Sequence, residues 1–481
     1  MRLVLDLVVN HTSDEHPWFE EARKSRHNPY YNYYHWWPAE KGEPPLRLSY
    51  FDEEGNAWMY NKSTDSYYLH YFSRKQPDLN WENPEVRQEI FDMMRFWFDK
   101  GIDGFRMDSI SLIAKDPSFP LIDSKKYPDI FSFYAKEPRL HLYLHEMNRQ
   151  VLSIYDCMSV GEGSAVMVDD VAKFVDPARE ELNMLYHFDA ARIRNTTLPD
   201  NPESGIDYSL IALKKMFTEW DKAVDKGWPS IYLGNHDQPR MVSRFGSDKD
   251  EFRALSAKML ITFLLTMRGT PYWFAGDEIG MRNIRFDRIE DYNDIDTINR
   301  YKKAKAEGKD PQAVLDEQKE TGRDNARTPF QWDRSPEAGF TAGTPWLKVN
   351  PDYTWINVAD EEKDPTSILN YFKKVVSFRK ENPSLIYGSY HLLDAENPQC
   401  YIFLRKTGAD TYLIMLNFSP KAAISTPGID MSNAHVLLDN YGDRSHMAPQ
   451  KDITLRPFEA IVFQLNHPVY ESFIDSLDLL E

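Results

Sequence analysis

The chain has 481 residues, of which 42% are hydrophobic and 14% aromatic, so it can fill a large core and exceeds one ordinary domain. Its formal net charge of −18 argues against a nucleic-acid partner, because phosphate groups would repel it. It contains no apolar run of about 18 residues, which argues against a membrane span. Its two cysteines, Cys157 and Cys400, favour a reducing, cytoplasmic compartment over a disulfide framework.

The first elements predict a strand, a long excursion and a helix. Residues 3–9 form a near-continuous apolar run, which is typical of a strand buried on both faces. The aromatic stretch at about 12–80 is too long for a plain connection and predicts an inserted subdomain. Asn83-Pro84 then has the form of a helix N-terminus, and Gly101 ends that helix.

Further strand signals follow at 102–107, 157–161, around 183–188, 230–234 and 271–275. Helical patterns at 139–154, 208–225 and 250–267 lie between them, and this alternation predicts parallel strands with crossover helices. The polar segment at about 281–345 predicts an irregular insertion, and 366–380 predicts a helix. The chain is therefore expected to form an α/β barrel at 1–385, an antiparallel β-sandwich at 386–466 and a tail at 467–481.

Polar clusters follow four of the predicted strands, at Asn10-His11, Arg106–Asp108, Gly161–Gly163 and Asn235–Gln238. Each alone has an ordinary structural interpretation, such as a salt bridge at a strand end or a satisfied histidine. The carboxyl ends of parallel strands meet at the mouth of a barrel, however. The shared position of the four clusters therefore indicates an active site.

Asp108, Glu162 and Asp237 are the candidate catalytic acids. Side chains alternate across a strand, so Arg106 and Asp108 point the same way, and the arginine favours an ionised Asp108. Glu162 would need a raised pKa, which a neighbouring carboxylate can provide. One ionised and one protonated acid can cleave a glycosidic bond, so the sequence predicts a glycoside hydrolase.

His236 and Asp237 are suited to binding sugar hydroxyl groups. A metal-binding role for them is disfavoured because no second histidine–carboxylate pair lies at ligand spacing.

Five segments, in order, resemble the motifs of the α-amylase superfamily, glycoside hydrolase family 13, and within it the oligo-1,6-glucosidase and α-glucosidase branch. They are Asp6–Ser13, Gln76–Asn80, Gly104–Asp108, Gly161-Glu162 and Asn235–Arg240. Asp324–Pro329 with Gln331-Trp332 also matches this branch. The resemblance implies a TIM (β/α)8-type barrel and a retaining, exo-acting α-glucosidase. Such an enzyme would hydrolyse the terminal α-1,6 or α-1,4 bonds of short oligosaccharides, and it would use no cofactor or metal.

The resemblance also implies a role for each matching residue. Asp108 would be the nucleophile, Glu162 the general acid and base, and Asp237 a ligand of the distorted glucose. The residues that would hold this glucose or line its pocket are His11, Phe72, Arg106, His236, Arg323 and Arg327.

Two departures from the family pattern leave alternatives open. Asp6–His11 matches the family's third barrel strand, so the chain is expected to lack the first two βα units, about 60 residues. Such a gap exposes strand edges, which makes an inactive fragment one alternative. Ser109, directly after the nucleophile, resembles the maltase type, whereas Gln76–Asn80 favours the oligo-1,6 branch, so the linkage preference stays open.

Two other hypotheses compete with hydrolysis of simple α-glucosides. Sucrose- or trehalose-converting enzymes belong to the same branch. Sucrose isomerases are expected to contain an Arg-Leu-Asp-Arg segment, to which Arg192-Ile193-Arg194 is only weakly similar. A non-catalytic homologue, like the heavy subunits of amino-acid transporters, would lose the acids and carry a membrane span. The sequence does not indicate an oligomeric state.

Overall fold

The computed structural model describes residues 1–51, 55–127, 129–408, 410–429, 431, 434–444 and 451–465. The predicted tail at 467–481 and Asn466 of the predicted sandwich lie outside the described residues. The side chain of Arg194 in the Arg192–Arg194 segment also lies outside them.

The described strands are β1 Val4–Val8, β2 Trp36–Pro38, β3 Trp58–Asn61, β4 Ser66–Leu69, β5 Gly104–Asp108, β6 Met158–Glu162, β7 Met184–Tyr186, β8 Ser230–Ile231, β9 Thr270–Pro271, β10 Ser389–Leu393, β11 Cys400–Thr407, β12 Asp410–Asn417, β13 Ala423–Ser425, β14 His435–Asp439, β15 Ile453–Leu455 and β16 Ala460–Leu465. The described helices are α1 Pro17–Ala22, α2 Pro84–Asp99, α3 Phe131–Tyr134, α4 Arg139–Gln150, α5 Ala172–Val175, α6 Asp189–Thr196, α7 Leu210–Ala223, α8 Met241–Phe245, α9 Arg253–Thr266, α10 Ile295–Ala306, α11 Pro311–Thr321, α12 Val358–Glu361, α13 Ile368–Glu381 and α14 Ser384–Tyr387. Among these helices, none combines the length and the hydropathy that crossing a membrane requires.

The chain divides into two compact units. The first comprises 1–188 and 223–229, and the second comprises 189–222 and the described residues from 230 onward. The predicted boundary between a barrel at 1–385 and a C-terminal domain at 386–466 stays a prediction.

A parallel sheet in the order β1-β5-β6-β7 forms the centre of the first unit. Helix α2 crosses over between β1 and β5, as the sequence predicts. Its N-terminus is capped by Asn83, which accepts a hydrogen bond from the Glu85 N–H at 2.9 Å, and Pro84 occupies the first turn. In the register of the sheet Val8 pairs with Asp108, so the carboxyl ends of β1 and β5 lie at one edge.

Strand β1 is buried on one face only, so the prediction of two buried faces is wrong. Leu7 is buried, whereas 45% of Val8 is exposed. In the described sheet β1 is an edge strand that pairs with β5 alone. Val8 lines a cavity of about 930 Å³ together with half-exposed apolar side chains of α2, which are Met93, Phe96 and Trp97.

The segment predicted as an inserted subdomain contains a small antiparallel sheet in the order β2-β4-β3. Its aromatic residues pack in a core that includes Trp58, Leu69 and Tyr71. The limits of the subdomain at 12–80 stay a prediction.

The segment at 281–345 contains two helices, α10 and α11, so the prediction of an irregular chain is wrong there. Each helix begins at an aspartate cap, Asp294 for α10 and Asp310 for α11. Few of their apolar positions are buried, and the periodic signal in the sequence is therefore weak.

The C-terminal part of the second unit is antiparallel, as predicted. A five-stranded sheet in the order β10-β11-β12-β16-β14 and the pair β13-β15 share one apolar core. Ile402, Met415 and Ile461 from the larger sheet meet Ala423 and Leu455 from the smaller one in that core.

Arg405 on β11 joins this sheet to the helices beside it. Its fully buried guanidinium donates to the carbonyls of Thr266 at 2.5 Å, Leu385 at 2.8 Å and Gly388 at 2.6 Å. These carbonyls lie at the ends of α9 and α14, where the helices leave acceptors unsatisfied.

We expect Arg405→Met to lower the thermal midpoint by about 5 °C or more, because each buried carbonyl without a donor costs about 1–3 kcal/mol. The matched control is Arg334→Met, which breaks an exposed ion pair with Asp360. Exposed pairs contribute about 0–1 kcal/mol, so this control should unfold near the midpoint of the unmodified protein. Equal midpoints for both variants, followed by circular dichroism, would contradict the role assigned to Arg405.

Candidate active site

The guanidinium of Arg106 lies at the centre of a polar cluster in the first unit. Its Nη1 donates to Asp6 Oδ1 and to Asp108 Oδ1, each at 2.8 Å. Its Nη2 donates to Glu162 Oε2 and to the Tyr186 hydroxyl, and Nε donates to the same hydroxyl at 3.0 Å. The predicted common orientation of Arg106 and Asp108 is therefore confirmed, and Glu162 shares the same cation.

The turn after β5 brings the backbone to Glu162 as well. Ser109 has the left-handed conformation, with φ 43° and ψ 32°, which is uncommon for a residue other than glycine. In this conformation its N–H donates to Glu162 Oε2 at 3.2 Å. Asp108 and Glu162 are thus connected both through Arg106 and through the backbone of the turn.

Glu162 carries the proton more readily than an ordinary glutamate. Burial, and after it the charge of Asp108, raise its pKa to about 7. Arg106, the Ser109 N–H and the Ser164 hydroxyl, which donates at 3.0 Å, act in the opposite direction. The sequence predicts a raised pKa from a neighbouring carboxylate, and in the structure burial contributes more than that neighbour.

His11 and Phe72, both predicted pocket residues, lie side by side in the first unit. Their ring centroids are 5.1 Å apart, and His11 Nε2 lies 3.0 Å from the Gln76 carboxamide. Burial lowers the pKa of His11 to about 4, although Asp108 acts to raise it. The charge of Lys115 acts on this pKa in the same direction as burial.

The remaining predicted residues form a second cluster around Asp237, in the second unit. Asp237 Oδ1 accepts from Arg327 Nη2 at 2.7 Å and from Arg323 Nη1 at 3.3 Å. His236 Nε2 lies 3.1 Å from Asp237 Oδ2. Asp294, which is buried, accepts from Arg323 Nε at 2.8 Å and holds that guanidinium in place.

Three members of these clusters are absent from the sequence prediction. Asp6 stands opposite Arg106 in the register of β1 and β5, a relation that only strand pairing reveals. Tyr186 ends β7, and its position after an apolar run is the signal that could have found it. Asp294 caps helix α10, which the sequence analysis left unassigned.

The structure brings Asp108, Glu162, Arg106, His11 and Phe72 together in the first unit. It brings Asp237, His236, Arg323 and Arg327 together in the second. The convergence of all three acids on one glucose pocket stays a prediction. Within the described ranges, no group of three or more His, Cys, Asp or Glu side chains is arranged to hold a metal ion.

Comparisons with known proteins assign the chain to a family. The model of the α-amylase catalytic domain matches residues 1–388. The oligo-1,6-glucosidase of Parageobacillus thermoglucosidasius is 48% identical over 479 residues, which cover 97% of this chain and 84% of that protein. The trehalose-6-phosphate hydrolase of Bacillus subtilis (strain 168) is 39% identical and is matched over 97% of this chain and 83% of its own length. These alignments do not confirm the predicted loss of two βα units.

A solved structure agrees with the sequence relatives. The trehalulose synthase of Pseudomonas mesoacidophila MX-45 superposes with a TM-score of 0.90 at 38% identity, covering 96% of this chain and 83% of that one. The fold, the order of the motifs and the family model agree over most of the chain, and the chain belongs to the α-amylase family of glycoside hydrolases.

Proposed function

We propose that the protein is a retaining, exo-acting α-glucosidase that hydrolyses terminal α-glucosidic bonds of short oligosaccharides. The observation that carries this proposal is the pair Asp108 and Glu162 on one guanidinium, with Glu162 buried and its pKa raised to about 7. Two carboxyl groups in opposite protonation states are what a double displacement at a sugar carbon requires. Relatives at 48%, 45% and 43% identity bear the name oligo-1,6-glucosidase.

In the first step Asp108 attacks the anomeric carbon and forms a glucosyl ester. Glu162 gives its proton to the glycosidic oxygen, which leaves as the hydroxyl of the shortened sugar. In the second step the ionised Glu162 takes a proton from water, and the water oxygen replaces Asp108 at the same carbon. Two inversions give net retention, and Glu162 regains the proton that it lost.

The cluster around Asp237 is assigned to binding the glucose. Asp237 offers acceptors to sugar hydroxyl groups, and the guanidiniums of Arg323 and Arg327 fix its orientation. His236 adds a ring nitrogen beside the same carboxylate. His11 and Phe72 supply the polar and the apolar wall on the side of Asp108.

The substrate linkage is proposed as α-1,6, α-1,4 or both. The name oligo-1,6-glucosidase of the three relatives above favours α-1,6 bonds, whereas Ser109 beside the nucleophile resembles the maltase type. Conversion of sucrose or trehalose is the second candidate, because a trehalose-6-phosphate hydrolase and a trehalulose synthase share 39% and 38% of their aligned residues with the chain. Product analysis on isomaltose, maltose, sucrose and trehalose separates these possibilities.

A folded protein that is inert on nitrophenyl α-glucoside, isomaltose and maltose would overturn the hydrolase proposal.

Asp108→Asn should lower kcat by about 10⁴-fold or more, because an amide cannot form the glucosyl ester. In the unmodified protein, a 5-fluoro-α-glucosyl fluoride should add the mass of one fluoroglucosyl group to the peptide that contains Asp108.

The matched control for this substitution is Asp6→Asn, at a carboxylate that accepts from the same Arg106 nitrogen. It should lose far less activity, since Asp6 makes no covalent bond in the mechanism. Label found on another acidic residue, read by tandem mass spectrometry, would refute the assignment of the nucleophile.

The alkaline limb of the kcat/KM profile should report Glu162, which must be protonated to act as an acid. Activity should therefore decline above about pH 7, the pKa of this group. Ser164→Ala removes a donor that favours the ionised carboxylate, so the pKa should rise and the limb should move to higher pH.

The control for this measurement is Ser118→Ala, whose hydroxyl donates to the partly exposed Asp116 instead. Its profile should coincide with that of the unmodified protein. An alkaline limb that moves to lower pH in Ser164→Ala, or stays in place, contradicts the role of Glu162 as the acid.

A further inference from the structure

A buried lysine lies behind His11, and nothing in the proposed mechanism uses it. Only 1% of the Lys115 side chain is exposed, and its Nζ lies 3.1 Å from Asp78 Oδ2, on a fully buried side chain. The same ammonium donates to Asn10 Oδ1 at 2.6 Å. Burying two charges costs several kcal/mol before their attraction compensates, so a purely structural pair has little advantage over apolar packing.

Lys115 fixes the orientation of the Asn10 amide. An ammonium group only donates hydrogen bonds, so the amide oxygen must face Lys115. The amide nitrogen then lies 3.2 Å from His11 Nδ1 and 3.4 Å from Asp78 Oδ1. His11 Nδ1 therefore meets a donor and must act as the acceptor.

The other ring nitrogen of His11 also meets an amide group. The Gln76 nitrogen lies 3.0 Å from His11 Nε2, because the Gln76 oxygen accepts from the Ser73 N–H at 3.1 Å. A neutral imidazole can meet one such donor with its lone pair, whereas an imidazolium can meet neither. The surroundings therefore disfavour the protonated ring.

The two amide groups differ in how firmly they are held. Asn10 is fully buried and bonded to a buried cation, whereas Gln76 is half-buried and bonded to a backbone N–H of the surface loop. The Asn10 contact is the stronger constraint and assigns the proton to Nε2, so the more weakly held Gln76 amide has to turn its oxygen toward that proton or give way to another acceptor. Three charged groups lie on this side of His11, namely Asp108, Lys115 and, behind Lys115, Asp78. Asp108 acts to raise the pKa of His11, and Lys115 acts to lower it.

We propose that Lys115 is a positioning residue that acts through Asn10 to hold His11 as a neutral ring with its proton on Nε2. This proposal rests on the proposed function, which places His11 in the glucose pocket. A fixed Nε2–H presents one donor of known direction to a sugar oxygen, which a ring free to exchange tautomers or to ionise does not provide.

The direct test measures the tautomer of His11 in the unmodified protein by ¹⁵N-histidine NMR, with the resonance assigned by its loss in His11→Gln. We expect an unprotonated Nδ1, a protonated Nε2, and a ring that stays neutral to about pH 4. A proton on Nδ1 at neutral pH, or an imidazolium at pH 6, overturns the proposal. This measurement needs no turnover, so its outcome is independent of the glucosidase assignment.

The second test is Lys115→Met, which removes the ammonium and frees the Asn10 amide to turn its oxygen toward His11. His11 should then titrate about one pH unit higher or more, and kcat/KM on nitrophenyl α-glucoside should fall about 10- to 100-fold through misplacement of the ring.

The matched control is Lys214→Met, at a buried lysine of the second unit whose ammonium binds the carbonyls of Asp394 and Asn397. It should leave the His11 titration unchanged. An unchanged His11 titration in folded Lys115→Met would reduce Lys115 to a structural ion pair, and the NMR measurement decides the question if that variant does not fold.

Discussion

One guanidinium organises the candidate site of the first unit. All five N–H donors of Arg106 are used, by Asp6, Asp108, Glu162 and, through two of them, the Tyr186 hydroxyl. A lysine offers a point charge on a flexible stem, and it could not hold four partners in one plane. The planarity of the group therefore fixes the acids relative to each other and to the sheet from which they project.

The same cluster contains more negative charge than Arg106 can balance. Three carboxyl groups share one cation, and repulsion between them is reduced if one of them takes up a proton. Exposure decides which one, because water stabilises a carboxylate. Asp6 is 53% exposed, Asp108 23% and Glu162 only 9%. The least hydrated acid is Glu162, whose pKa is raised mainly by burial, and this is the acid that the proposed mechanism requires in the protonated state.

Local sequence signals predicted the elements that position the first cluster. The Asn83-Pro84 cap, the apolar run before Asp108 and the glycines around Glu162 each depend on neighbours in the chain. Asp6, Lys115 and Asp294 could not be found in this way, since their importance comes from partners that are distant in sequence. The exposed face of β1 was missed for a related reason, because the residues of a strand do not indicate whether a neighbour covers it.

The two clusters differ in charge balance, and this difference explains why their proposed roles differ. Around Asp237 two carboxylates, Asp237 and Asp294, face two guanidiniums, Arg323 and Arg327. Each of these two carboxylates accepts from a guanidinium, which holds its oxygens as acceptors in fixed positions. Such a set is suited to binding hydroxyl groups. The excess of carboxyl groups around Arg106 favours a proton on Glu162, and we therefore assign the proposed proton transfer to the first cluster.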